Sequence, residues 1–388
     1  MISAYPTSAS RPSSSSSDLG VPWRNVDWIL LVITVLIVGT GVVALWSQQT
    51  ARQLDPATLL NRQGVAIALG GLGMFIVMGI GYRSLRPWAP FIYGAGCVLL
   101  VLVRVAGTEV NGARAWFSFG PLQLQPSELA KVALIFMLAA YLAEDRGERL
   151  PYDRFVKSLF MLFVPMGLVL LQPDLGTAST MVAITMGVLL IARAPVRHIA
   201  LISILSVVTA VALVSSGALQ SYQRERLTSF IDQKETADNK DLIRQQKYSK
   251  QAITLGRIGG AGFGQGITTS KGEVPAQETD FIFSAIAEQF GLLGAGTVLI
   301  LYLFMLLRCI RIAQLSPDHM GSLIAIGAAT LLTWHIFENV GMNLGIMPIT
   351  GIPLPLISYG GSSMIAFLGA LGLVQSVHMR RYSHDYPG

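Results

Sequence analysis

The chain has 388 residues, of which 52% are apolar and only 13% charged, with a mean hydropathy of +0.55. Soluble domains carry roughly 25% charged residues, so this composition excludes an ordinary soluble fold and makes the lipid bilayer the natural solvent. The 28 Lys and Arg against 22 Asp and Glu match the topology bias of cytoplasmic loops better than a nucleic-acid surface, and Cys97 and Cys309, far apart with no CxxC or histidine spacing, support neither a disulfide framework nor a zinc site.

Residues 1–22, with the run SRPSSSSS, cannot bury apolar surface and are expected to form a disordered cytoplasmic tail. Ten stretches then read as spanning helices, each approaching the roughly 20 apolar residues a bilayer requires. They are 27–47, 63–81, 88–105, 127–143, 156–171, 177–192, 198–217, 284–307, 321–344 and 362–379. The expectation is an all-α polytopic membrane protein, one transmembrane domain over 23–382 with a short cytoplasmic tail at 383–388. The first stretch is long and lacks a small-residue cleavage site, so it reads as a span and not as a cleaved signal.

With the amino terminus inside, fourteen basic residues fall in inner segments, and four, Arg52, Arg62, Arg104 and Arg114, fall in short outer loops. That bias puts both termini in the cytoplasm and places outside the loops 106–126, 172–176, 345–361 and the large loop 218–280 between the seventh and eighth spans. No fixed-period repeat and no paired interrupted helices mark an inverted-repeat transporter.

Ionisable groups inside a bilayer are costly and are functional candidates by default. In PSELAK, Glu128 and Lys131 are three residues apart on one helix face and can pair; the plain reading is a structural ion pair. Before them, NGARAWFSF joins Arg114, whose planar fork suits phosphate, to Trp116, which suits a sugar face or equally an interfacial anchor. In QPDLGT, Asp174 fits an Asx-type turn ahead of the sixth span. The long loop carries YQRERLTSFID, a glycine-rich run GRIGGAGFGQG that matches no nucleotide fingerprint, and ETDFIF. There Asp280 stands where polar loop meets apolar helix, as an N-cap or as a carboxylate whose desolvation raises its pKa toward that of a useful base.

In the ninth span His335, Glu338, Asn339 and Asn343 recur at three and four residue steps, giving one polar face. The connection that follows, GIMPITGIPLPLISYGGSS, is stiffened by Pro348, Pro353 and Pro355 and brings Ser358 and Tyr359 to the start of the last span.

PSELAK, QPDLGT, TDFIF and GIPLPLISYGG, in this order across ten spans, resemble the shape, elongation, division and sporulation (SEDS) family of peptidoglycan glycosyltransferases, nearer to its elongation type than to its division type. The resemblance covers the chain from Asp27 to Arg381. It implies that Asp280 is the catalytic carboxylate and that Arg114, Trp116, Glu128, Lys131, Asp174, Ser358 and Tyr359 line the substrate cavity. One departure is Glu278, which stands where the family pattern leads us to expect His, two residues before Asp280.

The implied substrate is lipid II at the outer face of the bacterial cytoplasmic membrane, with lipid tails lying between helices. The implied step is inverting: Asp280 takes the proton of the acceptor hydroxyl while Arg114, Lys131 or a divalent cation, Mg or Mn, meets the undecaprenyl pyrophosphate leaving group. The implied partner is a class B penicillin-binding protein. A lipid II flippase and a scaffold for that transpeptidase are the competing readings, and both predict that Asp280 is dispensable.

Overall fold

The computed structural model describes residues 22–110, 113–119, 122–144, 147, 149–215, 226, 230 and 240–382. The expected tails lie outside the described residues, Pro22 excepted, as does most of 216–239. The long helices, in chain order, are α1 (Trp28–Ala51), α2 (Pro56–Ile80), α3 (Ala89–Ala106), α4 (Pro126–Leu142), α5 (Tyr152–Leu170) and α6 (Leu175–Ile191). They continue as α7 (Val196–Ser215), α8 (Lys240–Gly256), α9 (Ile282–Gln314), α10 (His319–Leu344) and α11 (Gly361–Met379). A helix therefore overlies each of the ten apolar stretches. Among the described residues, six are long and apolar enough to cross a membrane: α1, α2, α3 together with the turns before it from Tyr82, α9, α10 and α11. α6 is a shorter apolar helix.

Local chemistry sets the helix starts. Asp27, Asp55, Asp174 and Asp318 precede α1, α2, α6 and α10, and each carboxylate accepts a backbone N–H of the first turn, satisfying donors that no helix can pair internally. Pro56 and Pro126 open α2 and α4, where the missing N–H costs nothing. α10 ends at Gly345, whose φ of +76 is the left-handed cap glycine allows.

One element corrects the all-α expectation, and a second adds a helix where a loop was expected. The loop 106–126 holds a three-stranded antiparallel sheet, β1 (Thr108–Val110), β2 (Ala113–Phe119) and β3 (Leu122–Leu124). β2 rests on α3 and α4, and β3 rests on α11. Within the long loop, α8 is a full helix: Leu242, Gln246, Ser249, Ala252 and Gly256 recur at three and four residue steps and are its buried stripe against α9 and α10.

Packing relies on small residues, as expected where lipid removes the hydrophobic drive between helices. A side chain at Gly70 or Gly372 would collide across the α2–α11 contact. The glycine-rich run serves the same end: a Cβ at Gly256 or Gly260 would strike the main chain of α9 at Ala287 or Gln289, beside the break in α9 at Gly291, where φ is +67.

Candidate active site

One end of the bundle gathers the turn before α9, the proline-rich connection before α11, the polar face of α10 and the carboxyl end of α1. The turn is built on Ala276, whose carbonyl accepts N–H bonds from Thr279, Asp280 and Phe281 and whose own φ is +51, a left-handed conformation that a residue with a side chain adopts at a cost. Asp280 does not cap α9. The N-cap position belongs to Phe281 and no side chain bonds there, so the Asp280 carboxylate is free of that duty.

Its main chain is fixed instead. Asn339 and Asn343 of α10 donate Nδ2 hydrogens to the Asp280 carbonyl at 2.8 and 3.1 Å, and Asn339 also donates to the Ile352 carbonyl at 2.8 Å. The Ser358 hydroxyl donates to the Thr279 carbonyl at 2.5 Å and accepts from Leu354 N at 2.8 Å, while Tyr359 N donates to the Glu278 carbonyl at 2.9 Å. Ser358 and Tyr359 thus staple the proline-rich connection to the Asp280 turn.

Asp280 is partly exposed, yet its surroundings are crowded enough that desolvation pushes its pKa up to about 6. The Arg226 guanidinium and the Thr279 hydroxyl pull it down, and the charges of Glu278 and Asp174 push it up. Arg226 is anchored by donating Nη1 to the Thr350 carbonyl at 2.9 Å. Glu278 is itself engaged: Arg52, at the end of α1, meets its Oε2 at 3.3 Å and the Gln277 side-chain oxygen at 3.3 Å.

The second buried constellation lies behind the proline-rich connection. Lys131 Nζ donates to Glu128 Oε1 at 2.7 Å and lies 3.0 Å from His335 Nε2, and His335 Nδ1 reaches the Pro353 carbonyl at 3.2 Å. A proton on Nδ1 satisfies that carbonyl and leaves Nε2 to accept from the ammonium. Lys131 is 1% exposed, closed off from open surface. Among the described residues, Glu128 Oε2 and the Ser127 hydroxyl are buried without a hydrogen-bond partner.

Asp174 adds its charge to the surroundings of Asp280. It accepts from Thr177 N at 2.8 Å and the Thr177 hydroxyl at 2.7 Å, as the Asx-type turn predicts, and from Gln125 Nε2 at 3.3 Å, one residue before α4. Arg114 and Trp116 are elsewhere, on β2. Arg114 is exposed and pairs with Glu109 at 3.3 Å, and Trp116 offers its carbonyl to the Thr108 hydroxyl at 3.0 Å. No hydrogen bond or ion pair described ties either to Asp280.

The family model described as Cell cycle protein, for the FtsW, RodA and SpoVE proteins, matches residues 27–383. The chain belongs to this family. The match takes in every element named above and begins at the cap of α1. Stage V sporulation protein E of Bacillus subtilis is 32% identical over 365 residues, 92% of this chain and 97% of that protein. The peptidoglycan glycosyltransferase MrdB of Escherichia coli K12 is 31% identical over 353 residues, 91% of this chain and 93% of that protein. Among solved structures, the rod shape determining protein RodA of Thermus thermophilus is 35% identical, with a TM-score of 0.70, covering 93% of this chain and 99% of that one. A chain from a peptidoglycan synthase complex that coordinates polymerization and crosslinking is 37% identical, with a TM-score of 0.78, covering 92% and 98%. Membership of the family and the apolar helices make this a multi-pass membrane protein.

For a metal, the donor set of this family member is thin. Among the described residues no group of three or more His, Cys, Asp or Glu side chains gathers closely enough to hold an ion. Glu278, the carboxylate nearest to Asp280 in sequence, is already met by Arg52. The described residues gather no such group, and the proposed step uses side chains alone.

Sequence reasoning passed over Arg226 and Arg52. Arg226 lies inside YQRERLTSFID but carries no local signal, because its neighbour Thr350 is 124 residues away; Arg52 counted only as an outer-loop charge.

Proposed function

We propose that this chain is a peptidoglycan glycosyltransferase that polymerises lipid II into β-1,4-linked glycan at the outer face of the cytoplasmic membrane. The glycosyltransferase class is carried by the relatives; the observation that carries the assignment to this site is Asp280, a desolvated carboxylate on a turn pinned by Asn339, Asn343 and Ser358. A base with a pKa of about 6 is ionised at neutral pH yet retains proton affinity, and general-base help of this kind is worth about 10² to 10⁴ in rate.

In this mechanism Asp280 accepts the proton of the acceptor sugar 4-hydroxyl as that oxygen attacks the anomeric carbon of the donor. The bond to undecaprenyl pyrophosphate breaks on the opposite face, and inversion gives the β linkage. Arg114 is the cation for the pyrophosphate. Its exposed pairing with Glu109 is worth at most about 1 kcal/mol, so exchange of partners is cheap. Lys131 is too enclosed for that contact and acts by holding Glu128, whose Oε2 is buried beside the equally enclosed Ser127 hydroxyl, so this pair shapes the wall behind the site. Trp116 offers its ring to a sugar face.

Ten spans with both termini cytoplasmic put this end of the bundle outside, where lipid II is polymerised and where the transpeptidase domain of a class B penicillin-binding protein works. Purified full chain, with and without such a partner, is to be given lipid II and assayed for polymer beside Asp280→Ala. Polymer from the wild type that is lost in the folded variant is the expected result. Undiminished polymer from Asp280→Ala overturns the role of Asp280. Lipid II crossing vesicle membranes without polymer would identify a flippase, and retained partner binding with no polymer from either form would identify a scaffold.

A further inference from the structure

The polar face of α10 carries one group that the mechanism leaves unused. Glu338 is buried within the apolar helix, where a carboxylate is costly unless fully hydrogen-bonded and is a functional candidate by default. Hydroxyls hold it from two sides. Ser179 of α6 donates to Oε1 at 2.9 Å, sharing its proton with the Gly176 carbonyl, and Thr350 of the proline-rich connection donates to Oε2 at 3.1 Å. Ser179 is fixed in turn by the Trp334 indole, whose Nε1 donates to its oxygen at 3.0 Å.

Thr350 is the step from Glu338 to the base. Its carbonyl is the acceptor that anchors Arg226 at 2.9 Å. The next residue, Gly351, stands where the guanidinium and the Asp280 carboxylate converge: a Cβ there would lie 3.3 Å from Nη1 of Arg226 and 3.5 Å from Oδ2 of Asp280. Gly351 has a φ of +78, a left-handed conformation glycine holds without strain, and the Thr350 side chain next to it is pinned by Glu338.

We propose that Glu338 is a positioning residue for the transfer, clamping the Thr350 hydroxyl so that the Thr350 carbonyl holds Arg226 beside Asp280. The inference rests on Asp280 being the base. The charged groups that face Asp280 are Arg226, Glu278 and Asp174, and Asp174 also faces Glu338. Glu278 is engaged by Arg52, and Asp174 by Thr177 and Gln125. Arg226 is therefore the group in this set whose place Glu338 governs.

Arg226 lowers the pKa of Asp280, so a displaced Arg226 moves the acidic limb of the rate profile to higher pH. The experiment is the pH profile of polymer formation from lipid II by the purified full chain and its variants Glu338→Ala, Glu338→Gln, Thr350→Val and Arg226→Gln. Glu338→Ala and Thr350→Val are expected to lower kcat about ten-fold or more, as a displaced catalytic contact does, with the acidic limb displaced upward in the same direction as in Arg226→Gln. Glu338→Gln, which keeps an acceptor for the Thr350 hydroxyl, should retain most of the activity. A slower Thr350→Val enzyme with an unmoved limb, or an unchanged profile in that variant, overturns the proposal. Thr350→Val keeps the side-chain shape and decides the matter if Glu338→Ala does not fold. Failure of the base itself is read separately: polymer from Asp280→Ala removes the reading of Asp280 and this inference with it, whereas failure of the Glu338 and Thr350 arms leaves Asp280 standing.

Discussion

The raised pKa of Asp280 makes a statement about stability as well as rate. A carboxylic acid whose folded pKa lies above its unfolded value binds its proton more tightly in the folded state, so its stabilisation is complete below about pH 4 and is lost as pH rises through about 6. Asp280→Asn is therefore expected to unfold at higher temperature than the wild type in detergent at pH 7.5, with the gain shrinking toward pH 4, while its activity is lost. The same variant measured at both pH values checks the sign. Glu128 and Lys131 are a matter of pairing, because each neutralises the other in a buried place. Glu128→Gln strands the Lys131 charge and should cost about 3 to 5 kcal/mol, and the pair Glu128→Gln with Lys131→Met should cost less than the sum of its parts, read from denaturant or thermal unfolding of the four forms. The Glu128–Lys131 pairing was legible from a spacing of three on one helix. The third member, His335, was visible only as part of a polar face, since the 204 residues between it and Lys131 give no local signal.

At the level of elements, legibility followed the physics of each signal. A helix lies over every apolar run close to bilayer length, and six of the helices among the described residues are long and apolar enough to cross a membrane. α8 was passed over because it is polar overall, although its buried stripe of Leu242, Gln246, Ser249, Ala252 and Gly256 keeps helical spacing. The small sheet was passed over because two of its strands have three residues each, too few for a period of two to stand out. The glycine-rich run, which matches no nucleotide fingerprint, packs its backbone closely on the broken start of α9. α10 does most to assemble the site, since one helix face holds the Asp280 turn through Asn339 and Asn343 and the proline-rich connection through His335, Glu338 and Asn339. Asn339→Ala removes the side-chain donor to the Ile352 carbonyl and leaves the Asp280 carbonyl with Asn343 as its side-chain donor. It should lower stability by about 2 kcal/mol or more and depress polymer formation, whereas an alanine at the exposed Phe337 of the same helix should do neither; unfolding and activity measured together distinguish the two faces.

Across the whole molecule, the site end and the opposite end are built by different means. At the site, loops are held by amides and hydroxyls. At the far end, helix termini are tied by charge around Asp27, whose carboxylate caps α1 through Leu30 N, meets Arg308 Nε of α9 at 2.6 Å and lies 3.5 Å from His378 Nε2 of α11. Its backbone N–H and carbonyl exchange hydrogen bonds with the Gln375 side chain of α11 at 3.0 and 2.8 Å. α1 has 24 residues, so about 36 Å of helix, at about 1.5 Å per residue, separates this lock from Arg52 and Glu278 beside the Asp280 turn. Asp27→Ala removes a cap and strands Arg308, which is partly exposed, so the cost should be about 2 to 4 kcal/mol, below the full value for a sealed pair. The acidic limb of the pH–rate profile should stay where it is, because the groups that set it, Arg226, Glu278 and Asp174, all face Asp280 at the other end. A less stable enzyme with an unmoved limb is the expected result from unfolding and rate profiles of that variant. A moved limb would mean that the two ends are coupled along the helices and that the electrostatics of the site are not set locally.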